Sequence, residues 1–158
     1  MIRITREADY GIVLMTALAQ AEGQPRSAAL LAQQRRLPLP MVSKILKALA
    51  RAGLLASLRG VQGGYQLARP AAEISAADII GALEGPLAIT ECSDESHDGC
   101  ARMEHCEVSG HWSRINRAIH AALQSVSLVE MSHPDPLQPL HFHPLHRAMA
   151  GQIAGRPV

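Results

Sequence analysis

The chain is 158 residues long with 47% apolar residues but only one Trp, two Tyr and one Phe, and its net charge is +1. That length holds one modest core plus an extra helix or tail and excludes a large multidomain enzyme. An Ala- and Leu-led apolar fraction fits packed helices better than a sheet sandwich, so the expected class is mainly α.

Between residues 9 and 21, Tyr10, Val13, Leu14, Ala17 and Leu18 fall at helical spacing, and Ile12, Met15 and Ala19 form a second apolar stripe. Such a helix is buried on two sides, the second covered either by its own subunit or by a partner. Ser27 is an N-cap for a short helix through Gln34, which Pro38 and Pro40 stop. Pro40 then opens the next helix. There Val42, Ile45, Leu46 and Leu49 face the core and Met41, Ser43, Lys44, Lys47 and Arg51 face solvent, with Gly53 as the stop. Residues 54–58 and 65–68 flank Arg59-Gly60-Val61-Gln62-Gly63-Gly64, a glycine-rich turn expected to close a hairpin. Ser75 caps a further helix through Glu84, ended by Gly85-Pro86. Trp112, Ile115, Ile119, Ala122, Val126 and Val129 then repeat at spacings of three and four, either a seam for pairing with a second copy or one core-facing stripe. From Ser132 the composition turns to Pro and His (His133, His141, His143, His146), and this tail is expected to be disordered.

Two helices around a proline turn followed by a hairpin make a winged helix-turn-helix. Residues 23–70 carry eight Lys and Arg and no acid, a composition suited to a polyanion. Recognition helices read base edges from their N-terminal end while cations hold phosphates. The candidate DNA-contacting residues are therefore Pro40, Met41, Ser43, Lys44 and Lys47, with Arg35 and Arg36 ahead of the turn and Arg59 and Gln62 on the wing. One such module covers little DNA, so a homodimer on a roughly palindromic double-stranded operator is expected.

All three cysteines, Cys92, Cys100 and Cys106, lie in one acidic stretch with His97, His105 and, just beyond, His111. An odd, clustered set is a poor disulfide framework and fits thiols serving a metal or redox chemistry in a reducing cytoplasm. Three thiolates leave one position vacant. A histidine would complete a zinc site, a carboxylate or histidine an iron–sulfur cluster, and two thiols alone could form a redox disulfide. Spacing does not separate these. No apolar stretch reaches the length of a membrane span, and no Ser-His-Asp set, phosphate-binding glycine loop or His-Glu-x-x-His pattern marks an enzyme.

The opening Met1-Ile2-Arg3-Ile4-Thr5 with Asp9-Tyr10, the run Ala52-Gly53-Leu54-Leu55 through Arg59-Gly60 and Gly63-Gly64-Tyr65, the three-cysteine stretch, and Ser127-Leu128-Val129-Glu130-Met131 together resemble winged-helix iron–sulfur regulators of the IscR and NsrR type. The likeness covers residues 1 to about 131. Ile89-Thr90-Glu91-Cys92 and the stretch from Cys106 to Ile119 look most like regulators of SUF iron–sulfur assembly operons. The resemblance implies a cytoplasmic homodimeric repressor holding a cluster, 2Fe–2S favoured with 4Fe–4S the alternative, on Cys92, Cys100 and Cys106. The histidine that serves IscR-like members three positions after the last cysteine is Ser109 here. Asp9 matches the carboxylate of NsrR-like members and is the favoured fourth ligand, ahead of His105 and His111. The expected layout is a DNA-binding domain over residues 1–86, a cluster-binding loop over 87–108, a dimerisation helix and its end over 109–131, and a tail over 132–158.

Overall fold

A computed structural model describes residues 3–60, 63–90, 93 and 106–133. The first helix, α1 (Arg6–Ala19), starts three residues earlier than the apolar periodicity indicates, because the Thr5 hydroxyl accepts the Ala8 N–H at 3.2 Å and Glu7 and Asp9 favour the positive end of the helix. Leu14 and Met15 are fully buried, and Tyr10, Ile12 and Ala19 pack against the same core. Both apolar stripes are thus covered from within the subunit.

Helix α2 (Ala28–Arg35) is capped by Ser27, whose hydroxyl accepts the Leu30 N–H at 3.1 Å, and ends on Arg36 in the left-handed region. Helix α3 (Leu39–Arg51) begins after Pro38 with Pro40 in its first turn, buries Val42, Ile45, Leu46 and Leu49, and gives way at Gly53, whose φ of +75° suits a residue without a Cβ. Strands β1 (Leu55–Leu58) and β2 (Gly64–Leu67) pair antiparallel in the register Leu55 to Leu67 through Leu58 to Gly64. The fold class is as expected from the sequence: mainly helical with a two-stranded hairpin wing.

A rung outside the hairpin joins the two halves of this unit. Arg26 and Tyr65 exchange backbone hydrogen bonds of 2.9 Å in both directions, which brings Gly64 so close that a Cβ there would sit 2.5 Å from the Arg26 carbonyl oxygen. The wing is therefore fixed to the start of α2 by main chain.

A short 3-10 turn (Ala71–Glu73) leads to α4 (Ala76–Glu84), held by a reciprocal capping box between Ser75 and Asp78. Helix α5 (Ser109–Gln124) lies on α4. It does not run on to residue 131, as the regular spacing of apolar residues suggested. The chain leaves the helix at Ser125, Val126 offers its carbonyl to the Ala76 N–H (2.9 Å), the Leu128 N–H donates to the Ile74 carbonyl (2.7 Å), and a new helix α6 (Leu128–Ser132) begins. Val126 and Val129 consequently leave the α5 seam. Leu128, with no exposed surface, locks α6 beside α1; burying such a side chain contributes about 1.5–3 kcal/mol. Ser127 caps α6, and its N–H and hydroxyl both donate to Glu130 at 2.7 Å, which holds the Glu130 carboxyl below its ordinary pKa. The tail from 134 onward lies outside the described residues.

Candidate nucleic-acid interface and cysteine segment

The outward face of α3 follows from its inward one: with Val42, Ile45, Leu46 and Leu49 buried, Lys44 and Lys47 project to solvent. Pro40 is exposed in the first turn and Arg36 in the turn before it. Met41 and Ser43 differ from the expectation of full exposure. Both are partly covered, Met41 because it packs on the core edge. Arg59 is exposed at the end of β1, where the chain turns through Gly60 at φ +110° and Gly63 donates its N–H to the Gly60 carbonyl at 2.9 Å. A Cβ on Gly63 would lie 2.4 Å from the Leu58 carbonyl oxygen, so the wing tip depends on that glycine. Gln62 lies outside the described residues.

Two groups on this side escaped the sequence reading. Glu7 of α1 forms an ion pair with Lys44 at 2.5 Å, with the two side chains 33% and 67% exposed, so one recognition-helix cation is already partnered by a carboxylate 37 residues away. Gln20, at the end of α1, accepts from Arg35 at 3.0 Å and donates to the Ser132 carbonyl at 2.9 Å, so Arg35 is half-buried and tied to α1. Neither pairing leaves a periodicity signal. Only the first-turn position of Glu7 is visible locally.

Further along the chain, Cys92 and Cys100 lie outside the described residues, as do His97 and His105. The segment holding them is nonetheless anchored at both ends. Before it, Asn116 of α5 donates to the Leu87 carbonyl at 2.8 Å; just past Cys92, Ser93 donates its N–H and hydroxyl to the Thr90 carbonyl, both at 2.9 Å. After it, the carbonyl of half-buried Cys106 accepts from the Ser109 N–H (3.3 Å) and hydroxyl (3.0 Å) at the start of α5. Asn116 lies seven residues past Ser109, about 10 Å along the helix axis, so the two described flanks, at Leu87 and Cys106, meet α5 at separate points. The N-terminal end of α5 has no side-chain cap and no acid in its first turn, so the positive end of the helix dipole favours a negatively charged neighbour, although the Ser109 and His111 N–H groups already donate to the Cys106 and Val108 carbonyls. Asp9 is exposed on α1 and pairs with no cation among the described residues; His111 is exposed on α5. Among the described residues no three His, Cys, Asp or Glu side chains converge as metal ligands. Three thiols on one doubly anchored segment are a donor set that fits an iron–sulfur cluster or a zinc ion.

The other unusual surface is α5 itself. None of its sixteen residues is buried, and Trp112 and Ile115 are 37% and 43% exposed, next to Val108 at 51%. Among the described residues no helix is long and apolar enough to cross a membrane.

Comparison with known proteins places these features in context. Residues 4–134 match the Rrf2 family, described as iron-dependent transcriptional regulators. The chain is 30% identical over 139 residues to protein rrf2 of Nitratidesulfovibrio vulgaris, covering 87% of this chain and 92% of that one. Its fold is similar to CymR, the global cysteine regulator of Bacillus subtilis (TM-score 0.64, 32% identity, 84% of this chain and 97% of that one), and to IscR of T. potens (TM-score 0.62, 31% identity, 82% and 85%). These are regulators and not enzymes.

Proposed function

Because the chain belongs to the Rrf2 family of DNA-binding transcriptional regulators, we propose that it is a cytoplasmic homodimeric repressor that senses an iron–sulfur cluster and controls SUF-type iron–sulfur assembly genes. The observation that carries this reading is that one small fold holds both the acid-free basic helix α3 and a three-cysteine segment anchored at each end on α5.

In this reading α3 enters the major groove with Pro40, Met41, Ser43, Lys44 and Lys47 toward the bases and adjoining phosphates, Arg35 and Arg36 stand behind it, and Arg59 and Gln62 follow the backbone or adjacent minor groove. The apolar side of α5, with Trp112 and Ile115 exposed and Ile119 partly covered, meets the same side of a second copy, and the pair sets the spacing of two half-sites.

Cys92, Cys100 and Cys106 would hold the cluster with Asp9 as the fourth ligand. When bound, the cluster supplies a reversible, oxidation-sensitive link among these four side chains. Asp9 lies two residues from Glu7, whose carboxylate grips Lys44 on α3. Fixing or freeing Asp9 therefore bears on the first turn of α1, and through Glu7 on a cation of the recognition helix. Such a shift changes operator affinity by the difference in how the two arrangements fit DNA, ordinarily about 1–3 kcal/mol.

The likeness to CymR supports a second reading, in which the same thiols act as a zinc site or a redox pair without a cluster. Purification without oxygen separates the two. The first reading expects coloured protein with stoichiometric iron and acid-labile sulfide, bleached by Cys106→Ala, and a gel shift on the DNA upstream of its own gene. Colourless protein carrying zinc, or thiols alone, contradicts it.

A further inference from the structure

We infer that the recess between α1 and α2 is a binding site for a small dianionic oxyanion, a phosphoryl group or a dicarboxylate, independent of the cysteine segment. The recess has a volume of about 330 Å³ and is lined by Ala17, Gln20, Ala21, Arg26, Gln34 and Arg35. Two arginines and two glutamines thus line one small open recess. Neither arginine has a carboxylate within 4 Å among the described residues.

Arg35 is prepared for a ligand. One of its terminal nitrogens donates to Gln20 Oε1 at 3.0 Å, and the Gln20 amide is itself oriented by its 2.9 Å bond to the Ser132 carbonyl. The guanidinium plane is held, yet its Nε is buried with no hydrogen-bond partner. A buried donor left unpaired is costly, and a small shift of the side chain would bring this closed-off Nε to the recess, where a guanidinium edge offers parallel N–H groups that match two oxygens of a carboxylate or phosphoryl group. Arg26 contributes only its backbone to the rung with Tyr65, and among the described residues its side chain makes no ion pair, so it can close on the second charge.

Of the lining residues only Arg35 is also a candidate DNA contact, and none belongs to α3 or the wing tip, so DNA phosphate is the less suited occupant. Arg35 ends α2, immediately before the left-handed Arg36 that turns the chain into α3, and Gln20 links it to the end of α6. A bound oxyanion would therefore stiffen the junction of α1, α2 and α6 directly behind the recognition helix.

The test is a titration of the full chain, followed by ¹H–¹⁵N NMR, with sodium phosphate, sodium succinate and, at matched ionic strength, sodium chloride. Saturable shifts of the Arg35 Nε–H and the Gln20 and Gln34 side-chain amides are expected with phosphate or succinate and not with chloride, and whichever saturates assigns the ligand class. Arg26→Gln, which keeps the backbone rung, and Arg35→Gln should each weaken binding at least tenfold. Arg51→Gln, an exposed cation elsewhere, should leave it unchanged. Shifts that follow ionic strength without saturating for both oxyanions, or equal weakening by all three substitutions, would overturn the assignment.

Discussion

Replacing Glu7 by Gln frees Lys44 without touching any residue that would face DNA. In the protein as it stands, Lys44 must leave a carboxylate at 2.5 Å before it can hold a phosphate. Exposed pairs of this kind are worth about 0.2–1 kcal/mol. A dimer presenting two copies of Lys44 would then recover about 0.4–2 kcal/mol of binding, or about 2- to 30-fold in affinity. Because Lys44 is 67% exposed and well screened, the expectation sits in the lower half, about 2- to 8-fold. Folding stability should fall by no more than about 1 kcal/mol. The assay is fluorescence anisotropy on a random-sequence duplex and on the upstream DNA across a salt series. The gain should vanish in a Lys44→Gln background, and Lys44→Gln alone should lower the salt slope by about 0.9 per half-site. Unchanged or weaker binding by Glu7→Gln, or a gain that persists undiminished without Lys44, would refute the placement of Lys44 against phosphate.

Gly64→Ala should cost about 1–3 kcal/mol in urea unfolding, since its Cβ would meet the Arg26 carbonyl at 2.5 Å and break the rung that fixes the wing; a loss under about 0.5 kcal/mol would show that rung to be dispensable. Ile115→Asp, at a position 43% exposed in the subunit, should leave the monomer folded but raise the dimer dissociation constant at least about a hundredfold by sedimentation, because the charge would be buried unpaired. An unchanged dimer would show that α5 is not the seam. Glu130 should titrate below an ordinary glutamate, so its capping box supports α6 at pH above the usual carboxylate range and the support is lost as pH falls through the lowered value. Carboxyl ¹³C NMR checks this, with Ser127→Ala, which keeps the backbone N–H bond and removes only the hydroxyl, expected to return the group part of the way to its ordinary value; no depression in the unmodified chain would contradict the hydrogen-bond account.

The DNA-reading half was largely legible because its signals are local. Ser27 and Ser75 cap the helices they precede, Pro38 and Pro40 separate α2 from α3, and Gly53 ends α3 within reach of its own turn. The break between α5 and α6 is not legible in the periodicity, because a three-and-four spacing continues unaltered through Ser125 and Val126, while the forces that bend the chain there, the bonds of Val126 and Leu128 to Ala76 and Ile74, come from distant residues. The capping pair Ser127 and Glu130 was the one local clue. Arg35 looked like a free phosphate ligand until its partner Gln20 came into contact through tertiary packing, and Glu7 is invisible as a partner of Lys44 for the same reason. The cysteine segment stood out by composition alone, whereas its anchoring by Asn116 and Ser109 follows from the fold.

The most direct measurement compares one protein preparation on one duplex, the DNA upstream of its own gene, in two states: reconstituted anaerobically with iron and sulfide, and stripped by a chelator. A cluster-sensing regulator should show dissociation constants that differ by about 5- to 150-fold between the two states, and the difference should disappear in Cys106→Ala. Equal affinities for loaded and stripped protein on that duplex would contradict the account.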